Sequence, residues 1–158
     1  MRLFSNILIY VTLALAALDR VTKLWALTLC SDNFTDNRYD VTQFFSCELV
    51  FNRGVSWGLF YSESTVIFVL VTISVISITL LLAWIAYNRV LQGYSIIGEL
   101  LIITGSVSNI IDRIYYQGVI DFIFLHYNDW SYPVFNLADV YIVVGVMYMF
   151  YNFYMSKS

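Results

Sequence analysis

The stretch from Thr65 to Tyr87, TVIFVLVTISVISITLLLAWIAY, decides how the rest of the chain is read. It carries no charge from end to end. A helix needs roughly 20 predominantly apolar residues to cross the hydrocarbon core of a bilayer, and nothing in this segment interrupts one. The rest of the chain has the same character. Of 158 residues, 60% are hydrophobic and only 12% are charged, where a water-soluble domain carries about 25% charged residues. One small core cannot hide that much apolar surface, so the sequence specifies an integral membrane protein.

Three more stretches read as spans: Leu3 to Leu29, Tyr94 to Ile111 and Val134 to Met155. Glu99 interrupts the third of these. The start of the chain could instead be a signal peptide, with Arg2, an apolar run and Ala16-Ala17. The length of the run, and Asp19 and Lys23 within the same helix, favour a span. The expected fold is an all-α membrane protein with four transmembrane helices, near 3–29, 65–87, 94–111 and 134–155, forming a single domain over 1–158. The net charge of −3, with neither a basic stripe nor a phosphate-binding glycine loop, excludes nucleic acid as a partner. One proline and seven glycines leave no long flexible linker.

Four spans put both termini on one side. That side holds Arg2, Arg89 and Lys157, while the other holds Asp32, Asp36, Asp40, Glu48, Glu63 and Asp129 against Arg38 and Arg53. The basic side is expected to be the cytoplasm. Loops 31–64 and 114–133 then lie outside. The first of them contains a strand-like run, Val41 to Phe51, ending in Asn52-Arg53-Gly54. It reads as a small extracytoplasmic β cradle on the membrane surface, with an ordinary capped loop as the alternative. Cys30 and Cys47 fall on this side, where an oxidising compartment permits a disulfide. The sole histidine, His126, reads as an interfacial loop residue, so a Cys-His nucleophile or a zinc site is poorly supported.

Chemistry points to Asp121 and Asp139. Both are carboxylates in or beside segments apolar enough for a bilayer, where an ionisable group marks function by default. Two acids brought face to face cannot both ionise easily and tend to share a proton. Asp121 is flanked by apolar residues in Val119-Ile120-Asp121-Phe122-Ile123-Phe124, a segment expected to dip into the helix bundle, where desolvation favours its protonated form. In Pro133-Val134-Phe135-Asn136-Leu137-Ala138-Asp139, Asn136 is a good N-cap that puts Asp139 at the third helical position. Capping alone could explain that pair; depth and the second acid argue for more. In the first span Asp19 and Lys23 stand four apart on one face and read first as an internal ion pair. In Gly105-Ser106-Val107-Ser108-Asn109-Ile110-Ile111-Asp112-Arg113, the small residues allow close helix approach. Asn109, Asp112 and Arg113 share a polar face, on which Arg113 could simply snorkel with Asp112 as its partner.

Taken in order, Asp19 to Lys23, Asn52 to Gly58, Gly105 to Arg113, Val119 to Phe122 and Phe135 to Asp139 resemble the lipoprotein signal peptidase, or signal peptidase II, family. The resemblance implies an intramembrane aspartyl endopeptidase of the bacterial cytoplasmic (inner) membrane. Such an enzyme removes signal peptides from diacylglyceryl-modified prolipoproteins, cutting before the lipidated cysteine. It implies Asp121 and Asp139 as the catalytic pair, with Asp19, Lys23, Asn52, Gly54, Asn109, Arg113 and Asn136 as supporting or substrate-binding residues. No metal or other cofactor is implied. The implied partners are the prolipoprotein, membrane lipid and a globomycin-like cyclic-peptide inhibitor. The chain departs from the family pattern at Val55-Ser56-Trp57 and at Glu99. Two rival readings remain at this stage: a proton- or ion-coupled carrier using Asp19, Glu99, Asp121 and Asp139, and a scaffold whose acids are only caps and braces. The clustering of the acids toward the outer face disfavours the carrier.

Overall fold

The structure, a computed structural model, describes residues 2–33, 38–54 and 62–155. Trp57 lies outside the described residues, as does the side chain of Cys30. Cys47 is buried. Four helices, α1 (Arg2–Asn33), α2 (Thr65–Leu91), α3 (Ile97–Tyr116) and α4 (Leu137–Met155), carry a small sheet of β1 (Arg38–Asp40), β2 (Phe45–Asn52), β3 (Val119–Tyr127) and β4 (Trp130–Ser131). All pairings are antiparallel, in the order β1-β2-β3-β4. The protein is therefore mostly helical with a four-stranded sheet, and "all-α" understates the cradle.

Helix α3 is the central element and packs on α1, α2 and α4. Its seam with α4 is built from small residues. A Cβ at Gly145 would stand 2.7 Å from the Gly98 carbonyl oxygen and 2.7 Å from Ile102 Cγ1. One at Gly105 would collide with the Ala138 carbonyl. Small residues let the two backbones touch, which brings the start of α4 against the middle of α3.

The helix boundaries differ from the expected ones where polar groups find internal partners. α3 runs to Tyr116 and not only to Ile111, because Asp112 and Arg113 are buried with bonds across the fold instead of ending the helix in water. α4 begins at Leu137, three residues after the expected start. Phe135 is extended, donating its N–H to Ile123 O at 3.1 Å and accepting from Ile123 N at 2.8 Å. The loop expected over 114–133 is largely β3 and β4, and His126 is a strand residue whose Nε2 lies 2.7 Å from Ser46 Oγ. Gln117 turns α3 into β3 with φ 59°, and Asn128 turns β3 into β4 with φ 51°. Asparagine tolerates that left-handed region better than most residues.

The distribution of polarity is the inverse of a water-soluble domain. Asp19, Lys23, Glu99, Asp112, Arg113, Asp121 and Asn136 are buried. Leu70 is 59% exposed, Leu80 66% and Phe150 71%. Among the described residues, α2 and α4 are long and apolar enough to cross a membrane. α1 carries Asp19, Arg20 and Lys23, and α3 carries Glu99, Asp112 and Arg113.

Candidate active site

Two backbone features bring Asp121 and Asp139 together. Asp121 sits in β3 opposite Val50 of β2, just beyond a register irregularity between Cys47 and Val50. The Ile123–Phe135 bridge then ties the approach to α4 against the same strand. The chain consequently returns to β3 at Phe135, two residues before α4 begins.

Asn136 caps α4 in both directions. Its Oδ1 accepts the Asp139 N–H at 3.0 Å, and its own N–H donates to Asp139 Oδ2 at 3.2 Å. This is a reciprocal capping arrangement with an aspartate in the third helical position. The Asn136 Nδ2 is then left to donate to Asp121 Oδ1 at 2.6 Å and to Asn109 Oδ1 at 3.3 Å. One fully buried residue thus contacts both carboxylates, Asp121 through its side-chain amide and Asp139 through its backbone N–H. Asn52 supplies the other donor to Asp121, Nδ2 to Oδ2 at 3.0 Å, and its Oδ1 accepts the Gly54 N–H at 2.9 Å in a tight turn. Asn109 Nδ2 donates to Asp139 Oδ1 at 2.9 Å.

The orientation of the Asn109 amide is dictated from behind. Its Oδ1 also accepts from Lys23 Nζ at 2.9 Å, so only Nδ2 can face Asp139. Lys23 is wholly buried, with carboxylate oxygens of Asp19 at 2.9 Å and Asp112 at 2.8 Å. Its three donors meet three acceptors. Asp19 also accepts the Ala138 N–H at 2.9 Å, holding the first turn of α4. Ser108 Oγ donates to Asp19, and Arg20 donates to Asp112 and to Ser108 Oγ at 2.6 Å. The Asp19–Lys23 pair expected from spacing is present, inside a larger network.

Arg20, Ser108 and Asp112 were absent from the expected site. Asp112 does not partner Arg113 but faces Lys23 and Arg20, one helical turn beyond Ser108. That i, i+4 spacing from Ser108 was the available signal. Arg113 points the other way, donating through Nη2 to the Gly54 carbonyl. Its Nε and Nη1 are buried and have no hydrogen-bond partner among the described residues.

Two cavities meet at the carboxylates. A polar one of about 60 Å³ is bounded by Asn52, Ser106, Asn109, Arg113, Asp121 and Asp139. A cavity needs about 10–15 Å³ to admit one water, whose share of liquid volume is about 30 Å³, so about two fit. An apolar cleft of about 330 Å³ runs outward past Trp130, Tyr132, Pro133, Val140 and Val144, sharing Asn52, Asp121 and Asp139 with the first. Water in the first and an extended apolar chain in the second would therefore meet at the same two acids. Burial, and then the Asp139 charge, push the Asp121 carboxyl up to about 7 against the bonds from Asn52 and Asn136. Among the described residues no three His, Cys, Asp or Glu side chains gather as metal ligands.

The model of the family described as signal peptidase (SPase) II matches residues 11–155. A lipoprotein signal peptidase of Clostridium novyi is 41% identical over 131 residues, covering 82% of this chain and 85% of its own. One from Clostridium tetani is 37% identical over 131 residues, covering 82% and 81%. One from Rickettsia canadensis is 32% identical over 158 residues, covering 94% and 74%. A solved structure described as a bacterial membrane enzyme superposes with a TM-score of 0.75 at 20% identity, covering 97% of this chain and 90% of that one. A second gives 0.67 at 24%, covering 94% and 92%. These two speak to the fold. The family model and the curated relatives, each spanning most of the chain, agree with one another, and the chain belongs to the signal peptidase II family.

Proposed function

We propose that this chain is an aspartyl endopeptidase that removes signal peptides from prolipoproteins, cutting before a cysteine that carries a diacylglyceryl group. The observation that carries the reading is the placement of Asp121 and Asp139 on one small polar cavity, with the Asn136 amide bonded to both residues. Two carboxylates in such a position share a proton. The Asp121 carboxyl, pushed up to about 7 by burial and then by the Asp139 charge, holds it below that pH in this reading.

In the proposed reaction a water between the acids attacks the scissile carbonyl. The Asp139 carboxylate takes a proton from that water. The Asp121 carboxyl hydrogen-bonds the carbonyl oxygen and protonates it as charge develops. On collapse, Asp139 gives its proton to the departing amine and Asp121 recovers its own, so both groups return to their starting states. The buried Arg113 donors bound the same cavity and stabilise negative charge as it develops. Asn52, Asn109 and Asn136 hold the two carboxylates in place, and Asp19 and Lys23 set Asn109. Gly54 closes the turn that presents Asn52.

The rest of the proposal concerns the membrane. One domain over 1–158 crosses the bacterial inner membrane four times, with both termini cytoplasmic and the sheet on the outer surface. α2 and α4 qualify as spans on their own, and Asp19, Arg20 and Lys23 of α1 pair with one another and with Asp112 of α3 inside the bundle. The apolar cleft receives the residues before the cut, and a globomycin-like cyclic peptide would compete for it. The acyl chains stay in the bilayer. Each buried CH₂ contributes about 0.8 kcal/mol, so two chains fix the depth of the substrate at the acids.

The test is a gel-shift cleavage assay on matched precursors with and without prior diacylglyceryl transfer. The lipidated precursor is cut before its cysteine and the unlipidated one is cut poorly or not at all. Equal cleavage of both would reject the substrate class.

A further inference from the structure

Glu99 is the largest buried charge with no part in the proposed reaction, being 2% exposed. It lies in the first turn of α3, ten residues before Asn109, about 15 Å along the helix from the acids. Its Oε1 stands 2.9 Å from Arg89 Nη1 at the end of α2, yet receives no well-aligned hydrogen bond among the described residues. Arg89 lies over the Tyr94 ring and reaches the Ser95 carbonyl at 3.5 Å. The N-cap of α3, Ile96, offers no side-chain cap.

This pair borders a chamber of about 390 Å³ whose other polar walls are Tyr94, Ser95, Tyr148 and Asn152. A second cavity of about 650 Å³ adjoins it, walled by Ile78, Leu82, Ile85, Ile102 and Phe150. The two share Arg89, Met149 and Phe153. A polar chamber opening into an apolar groove has the outline of an amphiphile with a compact head and a hydrocarbon tail. The head would meet a cation and an anion side by side. A head of single negative charge is drawn to Arg89 but repelled by Glu99, and a head of single positive charge meets the reverse. A zwitterion laid antiparallel to the pair satisfies both. Phosphate oxygens take the remaining Arg89 N–H groups, since five donors are available. The Glu99 carboxylate walls the chamber and accepts an N–H there, which a primary ammonium has and a trimethylammonium lacks.

We propose that Arg89 and Glu99, with the groove between α2 and α4, bind a phospholipid whose head carries both a phosphate and a primary ammonium, in the leaflet opposite the peptidase site. This rests on the reading of the chain as membrane-spanning, but not on the identity of the scissile bond.

The experiment uses the full chain, delipidated in detergent. Three short-chain phospholipids are offered at equal concentration: ethanolamine-headed, choline-headed and glycerol-headed. Bound lipid is read by native mass spectrometry. The wild type retains the ethanolamine form about tenfold better than the other two, the factor expected from one hydrogen bond to a buried charge. Glu99→Gln abolishes that preference. Asn152→Trp, which fills the chamber and leaves the ion pair in place, lowers ethanolamine-lipid retention to the level of the other two and decides the matter if Glu99→Gln fails to fold. Equal retention of all three lipids by the wild type, or a preference surviving in Asn152→Trp, overturns the proposal. Asp121→Asn abolishes cleavage and leaves the lipid preference intact, so failure here and failure of the peptidase reading are separable.

Discussion

Replacing Lys23 by methionine removes one ammonium and keeps the length of the side chain. In the native protein that ammonium meets Asn109 Oδ1 at 2.9 Å, Asp19 at 2.9 Å and Asp112 at 2.8 Å, with no exposure to solvent. Removing one partner of a buried pair costs about 3–5 kcal/mol, because a charge is left uncompensated. Arg20 offsets part of this: it bonds Asp112 and lies 3.6 Å from Asp19. The expected loss is therefore at the lower end, about 3 kcal/mol. For a chain of this size that lowers the thermal midpoint by roughly 6–12 °C. Cleavage falls as well, since Asn109 loses the donor that keeps its Nδ2 toward Asp139. Thermal unfolding in detergent measures the first effect, and single-turnover cleavage the second. Adding Asp112→Asn to Lys23→Met removes the surplus negative charge among Asp19, Asp112 and Arg20 and recovers about half of the lost stability, a non-additive pair of the kind seen between residues in contact. A Lys23→Met midpoint within 2 °C or so of wild type would show that the buried network carries little energy, and the argument from its geometry would fail.

Three other outcomes follow from the same contacts. Gly105→Ala forces a methyl against the Ala138 carbonyl and Ile142; it costs about 1–3 kcal/mol by overpacking, displaces the start of α4 and lowers cleavage, as thermal melts and rates will report. Asn136→Ala removes the cap of α4, worth about 1 kcal/mol, and the amide that donates to the Asp121 carboxylate; cleavage drops by a larger factor than stability alone explains, read as single-turnover rate on folded protein. The pH profile is bell-shaped. The reaction needs Asp121 protonated, so the upper limb falls as pH rises through about 7, where burial and the Asp139 charge have moved that carboxyl; a single-turnover rate that stays flat from pH 6 to 9 or so would contradict this assignment.

Composition and periodicity made the apolar helices legible, because a bilayer demands runs that nothing else explains. α2 was readable to within its last turn. The boundaries of α3 and α4 were not. Asp112 and Arg113 look like the polar end of a helix until their partners on α1 and at Gly54 are known. Val134 and Phe135 look like helix until the bridge to Ile123 is seen. Both errors come from long-range contacts between residues far apart in sequence. The sheet was half visible: the β2 run reads as strand-like and ends in a turn sequence, whereas β3 is buried on both faces at its start and has no alternation to read. At the site, the two aspartates and Asn136 could be found from depth and capping pattern. Arg20, Ser108 and Asp112 could not be assigned, because each also suits an ordinary interfacial role. Glu99 stood out as an anomaly in the third apolar stretch, and its partner Arg89 became identifiable only once the α2–α3 turn was closed.

The central claim is that Asp121 and Asp139 perform the hydrolysis together. Its most direct measurement is single-turnover cleavage of a diacylglyceryl-modified prolipoprotein by the wild type, Asp121→Asn and Asp139→Asn, each checked for folding by its thermal midpoint in detergent. Asparagine keeps the volume and hydrogen-bonding reach and removes the proton chemistry. Each variant is expected to fold and to lose on the order of 10²–10⁴-fold in rate or more, and the double variant to be scarcely slower than either single one, because the two act as a unit. A folded Asp121→Asn or Asp139→Asn protein that cleaves at near wild-type rate would contradict the account.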